Sequence, residues 1–211
     1  GAYTPYGLVL AQNSASNLLG PYKLPNYDLK VRMALTNLIP ATPTRGAGRP
    51  QGTFVMERLL DRVARELNLD RAEVRRRNFI AADEMPYATP VVTRDGKAMT
   101  YDSGDYPGAQ AMVLEKSSYE GFEARREVAR TEGKYLGFGL ANYVEGTGRG
   151  PFESAVVRVG SSGVVTVETG ATSQGQGIET ALAQIAAGEI GVALSDVKVS
   201  MGDTAVVPYG L

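Results

Sequence analysis

The chain has 211 residues, of which 43% are hydrophobic, so it can bury the core of one large domain or two small ones. Lysine and arginine total 22 against 23 aspartate and glutamate, and this balance gives no basic field for a nucleic-acid partner. Cysteine and histidine are absent from the sequence, which excludes disulfides, thiolate nucleophiles, cysteine or histidine metal sites and a Ser-His-Asp triad. No apolar run approaches the ~20 residues of a membrane span, so we expect a cytoplasmic protein, with the periplasm as the alternative.

The first part of the sequence predicts loops followed by a pair of helices. Residues 1–48 carry glycine and proline turn signals and are predicted to be mostly loop and strand. Over residues 51–67 apolar residues recur at spacings of three and four, with Pro50 before them, which predicts an amphipathic helix. Asp70 followed by Glu73 resembles a capping box and predicts a second, short helix directly after the first.

The rest of the sequence predicts a mixture of helices and strands. Residues 81–106 are rich in proline and glycine, which predicts a linker or long irregular connection. Helices are predicted over residues 107–116, 119–132 and 178–190, and strands over residues 135–145, 154–160, 163–169 and 197–201. The two strands around residues 161–163 form a predicted hairpin. This order predicts an α+β fold with mixed sheets and packed helices.

A glycine turn stands between a predicted strand and a predicted helix, at Gln174, Gly175, Gln176 and Gly177. Glycines let the backbone approach a ligand closely, and a helix start directs unpaired N–H groups at an anion such as phosphate. The dinucleotide fingerprint of three glycines is not met, because Thr180 stands where the third glycine is expected. From this pattern alone, an anion cradle and a plain tight connection are about equally favoured.

Three groups of motifs, taken together, resemble one family. They are residues 44–51 (TRGAGRPQ) with 75–79 (RRRNF), residues 101–106 (YDSGDY), and residues 173–177 (SQGQG) with 202–204 (GDT) and 208–210 (PYG). In this order and spacing the chain resembles the molybdopterin-binding large subunits of the xanthine dehydrogenase, aldehyde oxidase and carbon monoxide dehydrogenase group.

The resemblance implies parts of two consecutive molybdopterin-binding domains. The C-terminal part of the first domain is expected over residues 1–80, a connection over residues 81–106, and the N-terminal part of the second domain over residues 107–211. Both ends of the sequence look cut, so we expect a fragment of a longer protein.

The resemblance also implies a cofactor, molybdopterin cytosine dinucleotide with molybdenum. The pterin, rather than any side chain of this chain, is expected to hold the metal. In the family the glycine turn contacts the dinucleotide, which implies Gln174, Gly175, Gln176 and Gly177 as cofactor contacts. The amide side chains can both donate to and accept from such a polar cofactor.

The arginine-glycine loop lies beside the molybdenum in the family, which implies Arg45 and Gly46 as further cofactor contacts, with an ordinary surface ion pair as the alternative for Arg45. Copper-containing carbon monoxide dehydrogenases carry a cysteine where Gly46 stands, so this chain has no soft ligand for copper. Ala47 takes the position that shapes the substrate pocket, where purine-oxidising members have an aromatic residue. The loop resembles the form II relatives, although Thr44 and Ile178 replace residues common in the family.

The activity implied by the resemblance is water-dependent hydroxylation of an aldehyde or N-heterocycle. Electrons are expected to leave through 2Fe-2S clusters and FAD on partner subunits or domains, which implies a hetero-oligomer. The family's glutamate base belongs to a motif expected beyond Leu211, so no catalytic residue is assigned here, and Glu145, Glu153 and Glu179 do not lie in that motif. Tyr143 and Glu145 either line the substrate side or form a solvated strand end, and the second is favoured.

Two other functions remain as alternatives. A phosphate- or nucleotide-binding module would use the glycine turn without catalysis. A subunit-interaction piece would use the basic stretch over residues 71–77, for which a solvated or subunit-facing surface is favoured over phosphate binding. Molybdenum and pterin in the full-length protein would separate the family function from a phosphate-binding module.

Overall fold

The computed structural model describes residues 7–39, 42–92, 97–146 and 153–207. Within these residues the elements are α1 (Gly7–Ser16), α2 (Arg49–Glu66), α3 (Arg71–Asn78), β1 (Tyr87–Val92), β2 (Ala98–Tyr101), α4 (Tyr106–Lys116), α5 (Phe122–Thr131), β3 (Ala155–Val159), β4 (Val165–Thr169), α6 (Ile178–Ile190) and β5 (Val197–Met201). The strands form a two-stranded and a three-stranded sheet, and helices pack beside them. The predicted α+β class is confirmed.

The chain divides into two compact units, Gly1–Glu145 and Gly146–Leu211. This division follows contacts within the folded chain. The division into residues 1–80, 81–106 and 107–211 concerns domains of the family and stays a prediction.

The core of the first unit forms where α2 packs beside α1 and α3. Its buried apolar side chains are those of Leu19, Tyr22, Met56, Leu60, Ala64, Val74 and Phe79. The rings of Tyr22 and Phe79 stack with their centroids 5.3 Å apart. The predicted amphipathic helix is confirmed as α2, which has a proline in its first turn and buries Met56, Leu60 and Ala64 along one stripe.

The start of α3 is capped by Asp70, as the sequence predicts. Asp70 Oδ1 accepts hydrogen bonds from the backbone N–H groups of Ala72 and Glu73, at 2.8 and 3.0 Å. The Glu73 carboxylate bonds the side chains of Arg76 and Arg77 instead of returning to the cap. These hydrogen bonds, from Arg76 first and then Arg77, lower the pKa of Glu73 to about 2.

Arg75 is fully buried and joins three parts of the first unit. Its Nε donates to Glu57 Oε2 at 2.7 Å, and its Nη2 donates to Asp61 Oδ1 at 3.0 Å and to the Leu140 carbonyl at 3.2 Å. The Tyr22 hydroxyl donates to the other Glu57 oxygen at 2.6 Å, and burial, followed by the charge of Glu57, raises the pKa of Tyr22. A buried guanidinium is tolerated here because its N–H groups are paired. The expectation of a solvated or subunit-facing basic stretch is therefore wrong at Arg75.

Helix α1 lies in a region that the sequence predicts to be loop and strand. Two glycines allow its backbone to approach α2 closely. A β-carbon on Gly48 would lie 2.2 Å from the Leu10 carbonyl oxygen, and one on Gly52 would lie 2.5 Å from the Ser14 carbonyl oxygen. Helix α1 is therefore stabilised by packing against a distant part of the chain, and the sequence shows no local apolar stripe that would predict it.

Two other segments differ from their predicted structure. The predicted irregular connection contains the antiparallel pair β1 and β2. Pro90 lies in β1, and this is tolerated because both strands of a two-stranded sheet are edge strands. The predicted strand over residues 135–145 is absent, and this stretch has no regular secondary structure. Its carbonyls accept hydrogen bonds from arginine side chains instead. Arg71 Nη1 donates to the Phe138 carbonyl at 2.8 Å, and Arg75 Nη2 donates to the Leu140 carbonyl.

The second unit contains the sheet with strand order β3-β4-β5. β3 and β4 form the predicted antiparallel hairpin, while β4 and β5 are parallel and connected through α6. Val165 and Val167 of the central strand are buried. Because parallel strands have their carboxyl ends at the same edge, the loops after β4 and β5 share one edge of this sheet.

We predict that Arg75→Ala lowers the free energy of unfolding by about 3–5 kcal/mol, because Glu57 is left buried without its partner. Arg76→Ala, one position further on the same helix, removes an exposed ion pair and should leave stability nearly unchanged. Urea unfolding followed by circular dichroism measures both variants. Equal midpoints for the two would contradict the assigned role of Arg75.

Candidate functional site

The arginine-glycine loop before α2 has an unusual backbone. Gly46, Ala47 and Gly48 have φ values of 102°, 47° and 95°, all in the left-handed region. The Ala47 N–H donates to the Thr44 carbonyl at 2.7 Å, and the Arg49 N–H donates to the Gly46 carbonyl at 3.0 Å. The loop is a compact double turn that ends in α2.

Helix α1 holds this loop through side chains. Asn13 Nδ2 donates to the Ala47 carbonyl at 2.8 Å, and Ser14 Oγ donates to the Gly48 carbonyl at 2.6 Å. Asn13 is itself buried. These hydrogen bonds satisfy the carbonyls of Ala47 and Gly48 and fix the loop against α1. The backbone directly after Arg45 is therefore held in place.

A surface cavity of about 610 Å³ opens beside the start of α2. Its walls include Arg45, Gly46, Arg49, Phe54, Tyr143 and Glu145. Arg49 Nη1 lies 3.0 Å from Glu145 Oε1, and this ion pair joins the arginine-glycine loop to the end of the stretch over residues 134–146. Phe54 and Tyr143 are both exposed, so they offer apolar ring surface at this cavity. Tyr143 and Glu145 therefore line a cavity together with Arg45, rather than ending a strand.

Ala47 does not line that larger cavity. It lies on a second cavity of about 280 Å³, whose walls also include Leu10, Ser14, Thr44 and Arg45. Arg45 lines both cavities. The structure therefore brings Arg45 and Gly46 together at the larger cavity and puts Ala47 beside α1.

The glycine turn lies between β4 and α6, as the sequence predicts. Gln174, Gly175, Gln176 and Gly177 are all exposed. Gly175 and Gly177 have φ values of 94° and 77°, which glycine adopts without strain. The Gln174 N–H donates to Gln176 Oε1 at 2.5 Å, so the second glutamine side chain folds back over the turn.

The N-terminus of α6 is open toward this turn. Gly177 is its N-cap residue, so the N-cap position has no side chain to accept a hydrogen bond from the first N–H groups of the helix. Apart from its chain neighbours, a β-carbon on Gly177 would meet no atom of the described residues within 4 Å. Glu179, in the first turn, is exposed and opposes a bound anion, whereas the helix N–H groups favour one.

The loop after β5 lies next to the glycine turn. A β-carbon on Gly202 would lie 3.3 Å from Thr172 Cγ2, and Gly202 has a φ of 70°. Asp203 Oδ1 accepts a hydrogen bond from the Ala205 N–H at 2.9 Å, which closes a tight turn. Residues 202–204 of the motif therefore lie beside the start of the glycine turn, whereas residues 208–210 lie outside the described residues.

Neither a protein metal site nor a membrane helix occurs in the part of the chain that the structure describes. No group of three or more aspartate and glutamate side chains there could hold a metal ion. None of the helices described is both long enough and apolar enough to cross a bilayer.

The backbone N–H groups at the open start of α6 suit an anionic ligand. Comparison with protein families identifies the ligand class. Residues 1–79 and residues 112–211 each match a model described as a molybdopterin cofactor-binding domain.

Two curated relatives and one solved structure illustrate the similarity. The 6-hydroxypseudooxynicotine dehydrogenase complex subunit gamma of Paenarthrobacter nicotinovorans is 35% identical, over 94% of this chain and 25% of that protein. The carbon monoxide dehydrogenase large chain of Hydrogenophaga pseudoflava is 33% identical, over 91% of this chain and 25% of that protein. The crystal structure of quinoline 2-oxidoreductase from Pseudomonas putida 86 matches with a TM-score of 0.77 and 36% identity, over 96% of this chain and 27% of that one.

The chain belongs to the family of molybdopterin-binding large subunits of the xanthine dehydrogenase, aldehyde oxidase and carbon monoxide dehydrogenase group. The resemblance inferred from the motifs is thereby confirmed. The chain spans about a quarter of the length of the curated relatives that it matches.

Two contacts of the site escape sequence reasoning. Asn13 and Ser14 lie in a helix that no local pattern predicts, so nothing in the sequence indicates that they hold the loop. Arg49 and Glu145 belong to motifs that are visible in the sequence, but their pairing joins positions far apart in the chain. Both sets of contacts form only when distant parts of the chain fold together.

We predict that Gly48→Ala destabilises the protein more than Gly133→Ala does. Both glycines have positive φ, which costs alanine about 1–2 kcal/mol. A β-carbon on Gly133 meets no atom within 4 Å, whereas one on Gly48 overlaps the Leu10 carbonyl and adds an overpacking cost of about 1–3 kcal/mol. Urea unfolding midpoints test this order, and equal losses would refute close packing of α1 on the loop.

Proposed function

We propose that this stretch, within a full-length large subunit, binds molybdopterin cytosine dinucleotide with molybdenum and supports water-dependent oxidative hydroxylation. The observation that carries the proposal is the uncapped start of α6 at the exposed turn from Gln174 to Gly177. Membership of a molybdopterin-binding family supports the choice of this cofactor over a simple phosphate.

The residues of the turn fit the cofactor in their chemistry. Gln174 and Gln176 carry amides that donate and accept hydrogen bonds, and the first N–H groups of α6 suit a pyrophosphate. Gly175 and Gly177 have no side chains that would block the backbone at these two positions, and a β-carbon on Gly177 would enter open space. A cofactor phosphate can therefore approach the backbone there.

Arg45 and Gly46 are proposed as cofactor contacts beside the molybdenum, which the pterin holds. The loop is braced from α1 through the Ala47 and Gly48 carbonyls, so Arg45 can hold a fixed position and present a positive charge. Ala47 is proposed to shape the substrate pocket from the smaller cavity, which shares Arg45 with the larger one. When bound, the cofactor supplies the redox chemistry, and this chain binds and orients it.

The proposed substrate is an N-heterocycle or an aldehyde, and the N-heterocycle is favoured. Relatives in this family are named for nicotine and quinoline, which are N-heterocycles. The exposed rings of Phe54 and Tyr143 at the 610 Å³ cavity offer flat apolar surface to a planar ring. No cysteine occurs in this chain, so it offers no thiolate for copper of the kind that carbon monoxide oxidation would use.

The remaining parts of the proposed enzyme lie outside this chain. We propose parts of two consecutive molybdopterin-binding domains over residues 1–80 and 107–211, connected by residues 81–106. The glutamate base and the 2Fe-2S and FAD components are assigned to other parts of the polypeptide or to partner subunits of a cytoplasmic hetero-oligomer. Relatives named as a complex subunit and as large chains support such an assembly.

Two glycines at opposite ends of α6 give a matched test. Gly177 and Gly191 have nearly equal φ values of 77° and 79°, and apart from chain neighbours a β-carbon on either meets no atom within 4 Å among the residues that the structure describes. Gly177→Ala and Gly191→Ala should therefore cost similar stability. Only Gly177→Ala places a methyl group where the cofactor is proposed to bind, so it should lower cofactor content about tenfold, equivalent to a loss of about 1.4 kcal/mol.

The measurement uses the full-length subunit, purified with its partners from cells that make the molybdenum cofactor. Molybdenum is quantified by mass spectrometry and pterin by fluorescence after oxidation. Wild type and Gly191→Ala should carry both in near-stoichiometric amounts. Wild-type protein without molybdenum and pterin would favour the phosphate-binding module, and an unaffected Gly177→Ala variant would remove the turn from the site.

A further inference from the structure

The stretch over residues 28–35 alternates between large apolar side chains and side chains that are charged or small. Its apolar positions are Leu29, Val31, Met33 and Leu35, and between them lie Lys30, Arg32 and Ala34. A period of two is typical of a strand with one face buried and one face in water. The sequence of this stretch is therefore that of an amphipathic strand.

The structure leaves this stretch without a pairing partner among the described residues. It is assigned no helix or strand, and its backbone makes no hydrogen bond with any described residue. The four apolar side chains, from Leu29 to Leu35, are 38%, 43%, 48% and 70% exposed. A row of unpaired backbone groups beside a row of exposed apolar side chains is a template for β-pairing.

The chain is fixed to the first unit just before this stretch and again further along the sequence. Leu24 and Tyr27, just before it, pack against the core. After it, the loop at Ala47 and Gly48 is hydrogen-bonded to α1. The stretch therefore starts at a folded surface, and the chain is bound again twelve residues after Leu35, which reduces the entropy lost when the stretch pairs.

We infer that residues 28–35 form a β-strand that pairs with a strand from the part of the large subunit outside residues 1–211. The lengths of the relatives support this occupant. The matched stretch is only 25% of the 6-hydroxypseudooxynicotine dehydrogenase subunit and of the carbon monoxide dehydrogenase large chain, and 27% of quinoline 2-oxidoreductase. Most of each of those chains is therefore available to cover such a stretch. The inference rests on family membership and does not depend on the proposed cofactor contacts.

A second copy of the same stretch is a poorer partner. Antiparallel self-pairing centred on Val31 sets Lys30 opposite Arg32, and parallel in-register pairing sets each cation opposite itself. Like charges directly opposite one another destabilise a sheet. A different strand from the same polypeptide avoids this repulsion.

Hydrogen exchange of the purified full-length subunit, in its native assembly, tests the pairing. Peptides over residues 28–35 should exchange about a hundredfold more slowly than an unstructured peptide, since paired amides open only with their local structure. Exchange at the unstructured rate would overturn the inference. Molybdenum content is measured on the same sample, so a protected stretch in molybdenum-free protein would count against the proposed function and leave this inference intact.

Cross-linking identifies the source of the partner strand. Lys30 is exposed, and a lysine-specific succinimidyl linker applied to a mixture of ¹⁵N-labelled and unlabelled complexes distinguishes one copy from another. Links from Lys30 to lysines of the same polypeptide outside residues 1–211 support the inference. Links only to a second copy or to a different subunit would overturn the assigned occupant.

Neighbouring residues on opposite faces provide matched variants. Val31→Asp puts a carboxylate on the apolar face and should abolish the slow exchange or the yield of assembled subunit. Arg32→Asp makes a larger charge change on the polar face and should preserve both. Equal effects of the two variants would contradict a one-faced strand. The wild-type exchange measurement decides the case if Val31→Asp does not fold.

Discussion

The guanidinium of Arg75 lies fully buried where α2, α3 and the stretch over residues 134–146 meet, and it bonds Glu57, Asp61 and the Leu140 carbonyl. A charge taken out of water is stable only when its donors are satisfied, so this arrangement admits few alternatives. The stretch that carries Tyr143 and Glu145 is bound to the helices by arginine side chains rather than by a sheet. The wall of the larger cavity therefore depends on this buried ion cluster.

Glycines play two different roles at the proposed cofactor contacts. In the arginine-glycine loop, Gly48 has no room for a side chain, because α1 packs directly on it. At the start of α6, Gly177 has open space around it, and its lack of a side chain matters to an approaching ligand instead. One glycine thus serves packing within the fold and the other is proposed to serve binding, although both have positive φ.

Local patterns predicted much of the fold and much of the proposed site. Helices α2, α3 and α6 and the β3–β4 hairpin follow from apolar spacing, an Asp70 cap and turn residues, which are properties of short segments. Helix α1 and the Arg49–Glu145 ion pair depend on residues distant in sequence, so short-range patterns do not reveal them. The sequence predicts a strand over residues 135–145, but carbonyls of this stretch accept hydrogen bonds from arginine side chains of α3 instead of from a neighbouring strand. Local sequence does not show such distant hydrogen bonds. The motifs identified the family, but not which backbone groups are open.

We propose that the glycine turn at the start of α6 contacts the cofactor through its backbone. A crystal structure of the full-length subunit with its cofactor bound tests it most directly. Pyrophosphate oxygens should lie about 2.7–3.2 Å from backbone nitrogens of the glycine turn or of the first turn of α6. A cofactor bound elsewhere, with Gly177 and the helix start facing solvent, would contradict it.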